Sequence, residues 1–444
     1  MNTCFFKKSL CALSLFSTVF SADFVSAQEK DSLEKFRFGG YGEMIASFKN
    51  YGTNRFYGGS EGNTHKNRST VSIPRFVLAF DYNFNPKWTL SAEIEFESGG
   101  VGTAMEIENT ENGEYETEIE KGGEVAIEQF HITRKFLKEL NVRFGHLVLP
   151  VGLTNAHHEP INFFGTIRPE GESKIIPCTW HETGMEIFGE IGKNSYFFNY
   201  QFFIVNGLNL NGFDRNTWAG SAKQGVFEED NFTSPAFVFR LDYKGLKGLR
   251  VGASYYVCAD AAKNSDKFQT YSSIDGKTSV NIFSVDAQYK NDYVTFRGNI
   301  LQGKLDNSAA VSKVNNKLSS KSPYSRLTPV ASKAVSYGCE VGLHVKKFFN
   351  NEKFPALTPF VRYEYYNPQE EGEETQVMDS RLQTSMWTWG LNYNILPNLV
   401  AKFDYTKREI GTSEMFSKGI YNNENEFSFG LAYIGWFVKT KSKK

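Results

Sequence analysis

Apolar and polar residues alternate along most of this chain with a period of two. The end of the sequence shows it most plainly. Phe427, Phe429, Leu431, Tyr433, Gly435 and Phe437 share one face, and Ser428, Gly430 and Ala432 share the other. Successive side chains of a strand point to opposite faces, so this run predicts a strand with aromatic ends and one apolar face. The form recurs at Phe76, Leu78, Phe80 and Tyr82, at Leu90, Ala92, Ile94 and Phe96, and at Tyr196, Phe198, Tyr200, Phe202 and Ile204. It returns at Trp387, Trp389, Leu391 and Tyr393. The segment from Glu124 to Phe136 is less cleanly patterned. Such segments add up to about sixteen strands, with a margin of about two.

The connections alternate in length. Short turns fall near Asn85, Leu137, Gly192, Gly245, Asn291, Asn350 and Pro397. Long polar connections fall near 49–70, 99–123, 149–180, 207–232, 261–278, 305–334, 367–383 and 410–424. Within the second, MEIE and YETEIE joined by Thr110-Glu111-Asn112-Gly113 read as an acidic hairpin standing above the rest. Short turns on one rim and long loops on the other, with an even strand number, predict an all-β, transmembrane antiparallel β-barrel. Its turns are periplasmic and its long loops extracellular. The last strand, pairing with Phe36–Phe48, is expected to close it, ending at Phe437 with a basic tail beyond. A barrel of this size is too wide for side chains to fill and leaves an aqueous bore.

Composition agrees. Aromatics make up 15 %, with 40 Phe and 22 Tyr against 13 Pro, while mean hydropathy is −0.41. A polar average with excess aromatics suits a barrel, because alternate residues alone face lipid. No long apolar run is present to form a spanning helix. Net charge is −1, which gives no ground for nucleic-acid binding. Lys7 and Lys8, the apolar run from Leu10 to Phe20, and Val25-Ser26-Ala27 before Gln28 predict a signal peptide over 1–27 and a barrel domain over 28–444. That places the chain in the outer membrane of a Gram-negative bacterium. Cys178, Cys258 and Cys339 remain after cleavage, without pairing signals, and no disulfide framework is expected.

The densest local chemistry runs from His146 to Gly184, which holds four of the 13 prolines and four of the seven histidines. Ile161, Phe163, Phe164, Ile175, Ile176 and Trp180 make it too apolar for a free loop. In a wide barrel the surface it can fold against is the lumen wall, so an in-folded third loop is expected. Its constriction candidates are His157, His158, Glu159, Arg168, Glu170, Lys174, His181 and Glu182. With Cys178 the histidines and carboxylates resemble a metal set, but their spacing matches no fixed ligand pattern. They are read as hydrogen-bonding groups that hold the loop, with no metal and no cofactor. HExxH and phosphate-loop motifs are absent from the sequence, so an enzyme is not expected.

TNAHHEPINFF followed by RPEGESKIIPCTWHETG resembles the matching stretch of porins of the phosphate-selective porin O and P group. The resemblance implies a sixteen-stranded outer-membrane channel, narrowed by in-folded loops, and leaves a homotrimer open. It also implies basic side chains at the constriction of anion-selecting members. The inward phase here offers Arg37, Arg75, Arg143, Arg240, Arg250, Arg297, Arg362 and Lys402, with Lys346 as a further candidate. Glu43, Glu93 and Glu95 share that phase. Arg240 with Asp242, Arg362 with Glu364 and Lys402 with Asp404 lie two residues apart on one face and read as wall ion pairs. The expected activity is passive diffusion of small hydrophilic solutes or ions, with anions or phosphate as the finer form. Expected partners are membrane lipid and lipopolysaccharide, the solutes, and the barrel-assembly machinery. The alternative is a surface-exposed binding or adhesin barrel with a closed lumen.

Overall fold

The computed structural model describes residues 34–50, 67–100, 102–109, 115–122, 125–224, 230–265, 271–318, 327–349, 351, 353–373, 376–411 and 422–441. The expected signal peptide and the boundary at residue 28 lie outside them. β1 (Glu34–Asn50) is followed by β2 (Asn67–Ser72), β3 (Arg75–Asn85), β4 (Trp88–Glu97), β5 (Gly102–Asn109), β6 (Tyr115–Gly122), β7 (Val125–Lys135) and β8 (Asn141–Val148). Then come β9 (His181–Lys193), β10 (Tyr196–Val205), β11 (Ala236–Tyr243), β12 (Leu249–Cys258), β13 (Val280–Lys290) and β14 (Val294–Leu305). β15 (Lys333–Leu343), β16 (Leu357–Glu371), β17 (Thr384–Leu396), β18 (Leu399–Ile410) and β19 (Asn422–Lys441) complete the series. Among the described residues two short α-helices, α1 (Glu170–Ile175) and α2 (Ser308–Asn315), lie in the long loops.

Seventeen strands form one antiparallel sheet, and β5 with β6 form a separate hairpin. β1 pairs β2 from Ile45↔Ser72 to Asn50↔Asn67 and β3 from Phe36↔Tyr82 to Gly42↔Phe76. β2 and β3 are therefore one stave interrupted at Ile73-Pro74, where proline has no N–H for the ladder. Counted so, the sheet has sixteen staves. It closes through β1 and β19, from Glu34↔Lys441 to Phe48↔Phe427. Closure gives every stave two neighbours, which a hydrocarbon environment demands. β19 runs on to Lys441 rather than ending in a tail at Phe437, because Val438, Lys439, Thr440 and Lys441 all find partners on β1. The register skips Phe437 at this seam, so it is a bulge residue, 53 % exposed on the outer face.

The predicted phases hold around the barrel. Met44, Phe48, Phe144, Phe239, Phe283, Ile300, Trp387 and Trp389 are exposed outward. Glu43, Arg75, Asp81, Glu95, Arg240 and Asp286 are buried on the inner side. Lys346 departs from its expected inward place. It lies in the single helical turn Val345–Phe348 between β15 and β16.

The long connections are less polar than expected. Leu208, Leu210, Phe213, Trp218, Tyr271, Val311 and Val330 join Trp180, Tyr256 and Leu305 in one buried cluster. Three loops thus pool apolar residues that none of them could bury alone. Trp218 illustrates the packing: its ring stands edge-on to Phe213, 5.2 Å between centroids, and its indole N–H donates to the Ala331 carbonyl at 3.0 Å. The cluster reaches the third loop through Leu149, Val151, Ile175 and Ile176. It forms a lid over the β9–β15 side of the barrel.

Candidate functional site: the in-folded third loop

The third loop leaves β8 and crosses the lumen before returning as β9. Its base is tied by Leu149 N–H to the Trp180 carbonyl at 2.9 Å. The buried Asn155 side chain spans the base, donating to the Leu149 carbonyl at 2.7 Å and accepting from Trp180 N–H at 2.6 Å. Glu172 of α1 accepts the amides of Leu153 and Thr154, each at 2.6 Å, and that of Asn155 at 3.2 Å. Asn299 of β14 donates to the same carboxyl at 2.5 Å.

Wall side chains then grip the loop by its backbone. Lys402 of β18 donates to the carbonyls of Phe163 and Gly165, each at 2.9 Å, and to that of Pro160. Arg362 of β16 donates to the Ile167 carbonyl at 3.2 Å, and Arg75 of β3 to the His158 carbonyl at 2.9 Å. Arg240 of β11 donates to the carbonyls of Pro150 at 3.2 Å and Gly152 at 3.4 Å. Carboxylates take the loop amides: Asp404 that of Thr166 at 2.5 Å and Glu364 that of Gly171 at 3.2 Å. Arg297, paired with Glu340, lies over the Phe164 ring at 5.2 Å. The expected wall pairs form at Arg240–Asp242, 2.8 Å, and Arg362–Glu364, 3.1 Å. Lys402 and Asp404 do not pair directly; each is spent on the loop.

A cavity of about 270 Å³ lies on the turn side of the loop, lined in part by Arg37, Asp81, Glu93, Lys135, Arg143, His157, His158, Glu159 and Arg250. A cavity of about 540 Å³ lies on the loop side, lined in part by Glu43, Lys49, Arg68, Arg75, Arg168, Ser173, Cys178 and Glu426. Between them Tyr41, Glu95, Glu128 and His158 close in as a pinch, all buried. The hydroxyl of Tyr41 donates to Glu128 at 2.9 Å, and His158 Nε2 lies 2.6 Å from the other Glu128 oxygen. Burial disfavours a charged His158, but the Glu128 carboxylate outweighs it and holds the imidazole up to about 9. His157 is its opposite. Burial, with Arg250 and Arg240 beside it, pushes it well below the usual range. Its neutral Nε2 accepts from Arg250 at 2.7 Å while Nδ1–H donates to the Leu153 carbonyl at 3.2 Å.

Of the predicted constriction residues, His157, His158 and Glu159 line the inner cavity and Arg168 the outer. Glu170 is bound by Arg408 of β18, Nε to Oε1 at 3.1 Å. Lys174 is exposed at the end of α1. His181 and Glu182 belong to β9 and line neither cavity. His181 contacts His146 at 2.5 Å and Lys223 at 3.4 Å, and Glu182 accepts from Trp180 Nε1 at 2.9 Å. They brace the loop's exit. Tyr41 shares the period-two phase of Arg37 and Glu43, but nothing in the sequence marks it out for a role. Glu128 was missed: the β4–β7 register runs from Glu93↔Gln129 to Ile94↔Ile127, which leaves Glu128 as the extra residue of a bulge. Bulges re-aim side chains, and here one turns a carboxylate into the lumen. The irregular pattern over 124–136 was its trace.

No family model matches the chain. An uncharacterized protein of Aquifex aeolicus is 26 % identical over 346 residues, 77 % of this chain and 71 % of that one. Among solved structures, the anion-selective porin from Comamonas acidovorans superposes with a TM-score of 0.51 at 9 % identity, over 91 % of this chain and 100 % of that one. Salmonella typhi OmpF, solved with daunomycin, gives 0.52 at 13 %, over 90 % and 98 %. The outer membrane channel DcaP of Acinetobacter baumannii gives 0.52 at 12 %, over 92 % and 99 %. At these identities the likeness is one of architecture, and it is the sixteen-stranded architecture of outer-membrane porins that this chain shares.

Proposed function

We propose that the chain forms a passive outer-membrane channel for small hydrophilic solutes. The observation that carries this reading is the pair of cavities on opposite faces of the in-folded loop, both against the wall of β1, β3 and β4 in a closed sixteen-stave barrel. No cofactor and no energy coupling enter it. The signal peptide, a Gram-negative outer membrane, contact with lipopolysaccharide and assembly by the barrel machinery, with a homotrimer as one final form, are parts of the same proposal.

Selectivity follows the charge at the narrowest point. Most wall charges are spent on partners: Arg37 on Asp81, Arg143 on Glu186, and Arg240 and Arg250 on Asp242 and Asp286. Among the described cations of the two cavities and the third loop, Arg68, Lys135, Arg168 and Lys174 form no ion pair. An anion or phosphate preference would rest on those four, and we favour a pore with weak ion preference over a phosphate-specific one. The folded protein in a planar bilayer should give stable open-channel steps, and folded protein without conductance would overturn the reading. A reversal potential in a salt gradient tests the finer point. R168Q combined with K174Q should shift it toward cations; an unchanged ratio removes these residues from selectivity. The apolar lid favours the second reading, a surface-binding barrel with a closed lumen. Liposomes that fail to swell with small sugars would support it.

A further inference from the structure

The pinch holds more negative charge than its cations balance. Glu93, Glu95 and Glu128 are all at least nine-tenths buried and face Arg75 and His158, and Arg75 is shared with Glu43. Uncompensated carboxylates in a poorly hydrated site are costly. Ligand atoms of Glu93, Glu128 and His158 all lie within 4.8 Å of one another. The imidazole is oriented for coordination: Nδ1–H donates to the Asn155 carbonyl at 3.1 Å and turns Nε2 toward the carboxylates. A carbonyl on the far nitrogen is how proteins fix a ligating histidine. Glu128 Oε1 lies 2.6 Å from Nε2, its close partner, in a geometry short of a regular hydrogen bond, and the residue is fully buried. Tyr41 holds the other oxygen at 2.9 Å. The bulge in β7 delivers this carboxylate.

The geometry points to a divalent transition-metal site at the pinch, with Glu93, Glu128 and His158 as ligands and Zn²⁺ as a fitting ion. One imidazole and two carboxylates suit such an ion at about 2.0–2.2 Å. The cation takes the place of the proton between Nε2 and Oε1, neutralises the surplus carboxylate charge, and sits in the pinch that separates the two cavities. Zn²⁺ in the lumen is therefore a blocker, and the site joins the loop to the wall of β4 and β7.

The experiment uses the full chain as a folded barrel in detergent, with Zn²⁺ competed against a chromogenic chelator and Mg²⁺ and Ca²⁺ as comparators. One Zn²⁺ per chain should bind in preference to either comparator. E128Q and H158Q should each weaken binding by at least about tenfold, and E93Q, which leaves the loop's own residues intact, should do the same. H344A, a histidine of the β15–β16 turn, should bind as the unaltered protein does. No binding at millimolar Zn²⁺, or equal affinity in E93Q and E128Q barrels that remain folded, would overturn the site. In a bilayer, Zn²⁺ should lower conductance in the unaltered protein and not in E128Q. Direct binding does not require an open pore. A barrel that binds Zn²⁺ but never conducts would refute the channel reading and leave the site standing.

Discussion

Replacing Lys402 by methionine (K402M) keeps the length and apolar stem of the side chain and removes its ammonium. Three carbonyls of the third loop, those of Pro160, Phe163 and Gly165, then lose their donor in a buried place. A buried acceptor left without a partner costs about 1–3 kcal/mol. Water entering from the adjoining lumen recovers part of that, so the docked loop is destabilised by about 2–4 kcal/mol. At about 1.4 kcal/mol per tenfold, the ratio of docked to undocked loop falls roughly 30- to 700-fold. The strand pairs of Lys402 with Gly430 and Asn392 are backbone pairs and survive. The barrel should thus stay folded while its constriction loosens. Single-channel recording at fixed voltage reads this directly: K402M should show a second, larger conductance level or raised open-channel noise. Amplitude and noise superimposable on those of the unaltered protein, from folded barrels, would refute the idea that this lysine holds the loop.

Acid should act at a second anchor. Burial alone would raise the Glu170 carboxyl, but the Arg408 guanidinium outweighs it and holds the group down to about 2. A depressed carboxyl stabilises above its unfolded value of about 4.5 and loses that contribution as pH falls toward 2. Channel noise should therefore rise between pH 4.5 and 3, and E170Q should be noisy at neutral pH with little further change. Cys178 lines the outer cavity, whereas Cys339 is exposed on the outer face of β15. A charged, membrane-impermeant thiol reagent should lower conductance by reacting at Cys178, and C178S should abolish the effect. Persistence of the block in C178S would place the accessible thiol elsewhere. At the seam, a Cβ on Gly39 would stand 2.2 Å from the Gly435 carbonyl oxygen. G39V should lower the yield of closed, detergent-resistant barrel severalfold, and a normal yield would show that the seam can open to admit it.

Strand count, phase and rim assignment were all legible because alternation is a local property. Phe427 to Phe437 carries its own period, and each neighbour repeats it. Glu128 was not, because a bulge exchanges the two faces at one residue and looks like noise in a short window. The apolar lid escaped for another reason. Leu208, Tyr271 and Val311 are apolar residues in three polar stretches, and nothing local says that they meet. His181 and Glu182 share the motif of the loop but fall on the strand side of its boundary, where pairing with Val148 and Leu147 sets their orientation. Lys402 and Asp404 were rightly placed inward. Same-face spacing showed them as mutual partners, and the loop, folded from far away in sequence, took both.

The wall holds the third loop largely by its peptide groups. Lys402, Arg362, Arg75 and Arg240 all donate to carbonyls, and Asp404 and Glu364 accept amides. Carbonyls and amides are the same whatever side chain a residue carries. The loop can therefore be rewritten at Arg168, Ser173 or Lys174 without being let go. Scaffold and filter are separable inheritances in this barrel: one is written in the strands, and the other is open to revision by single substitutions.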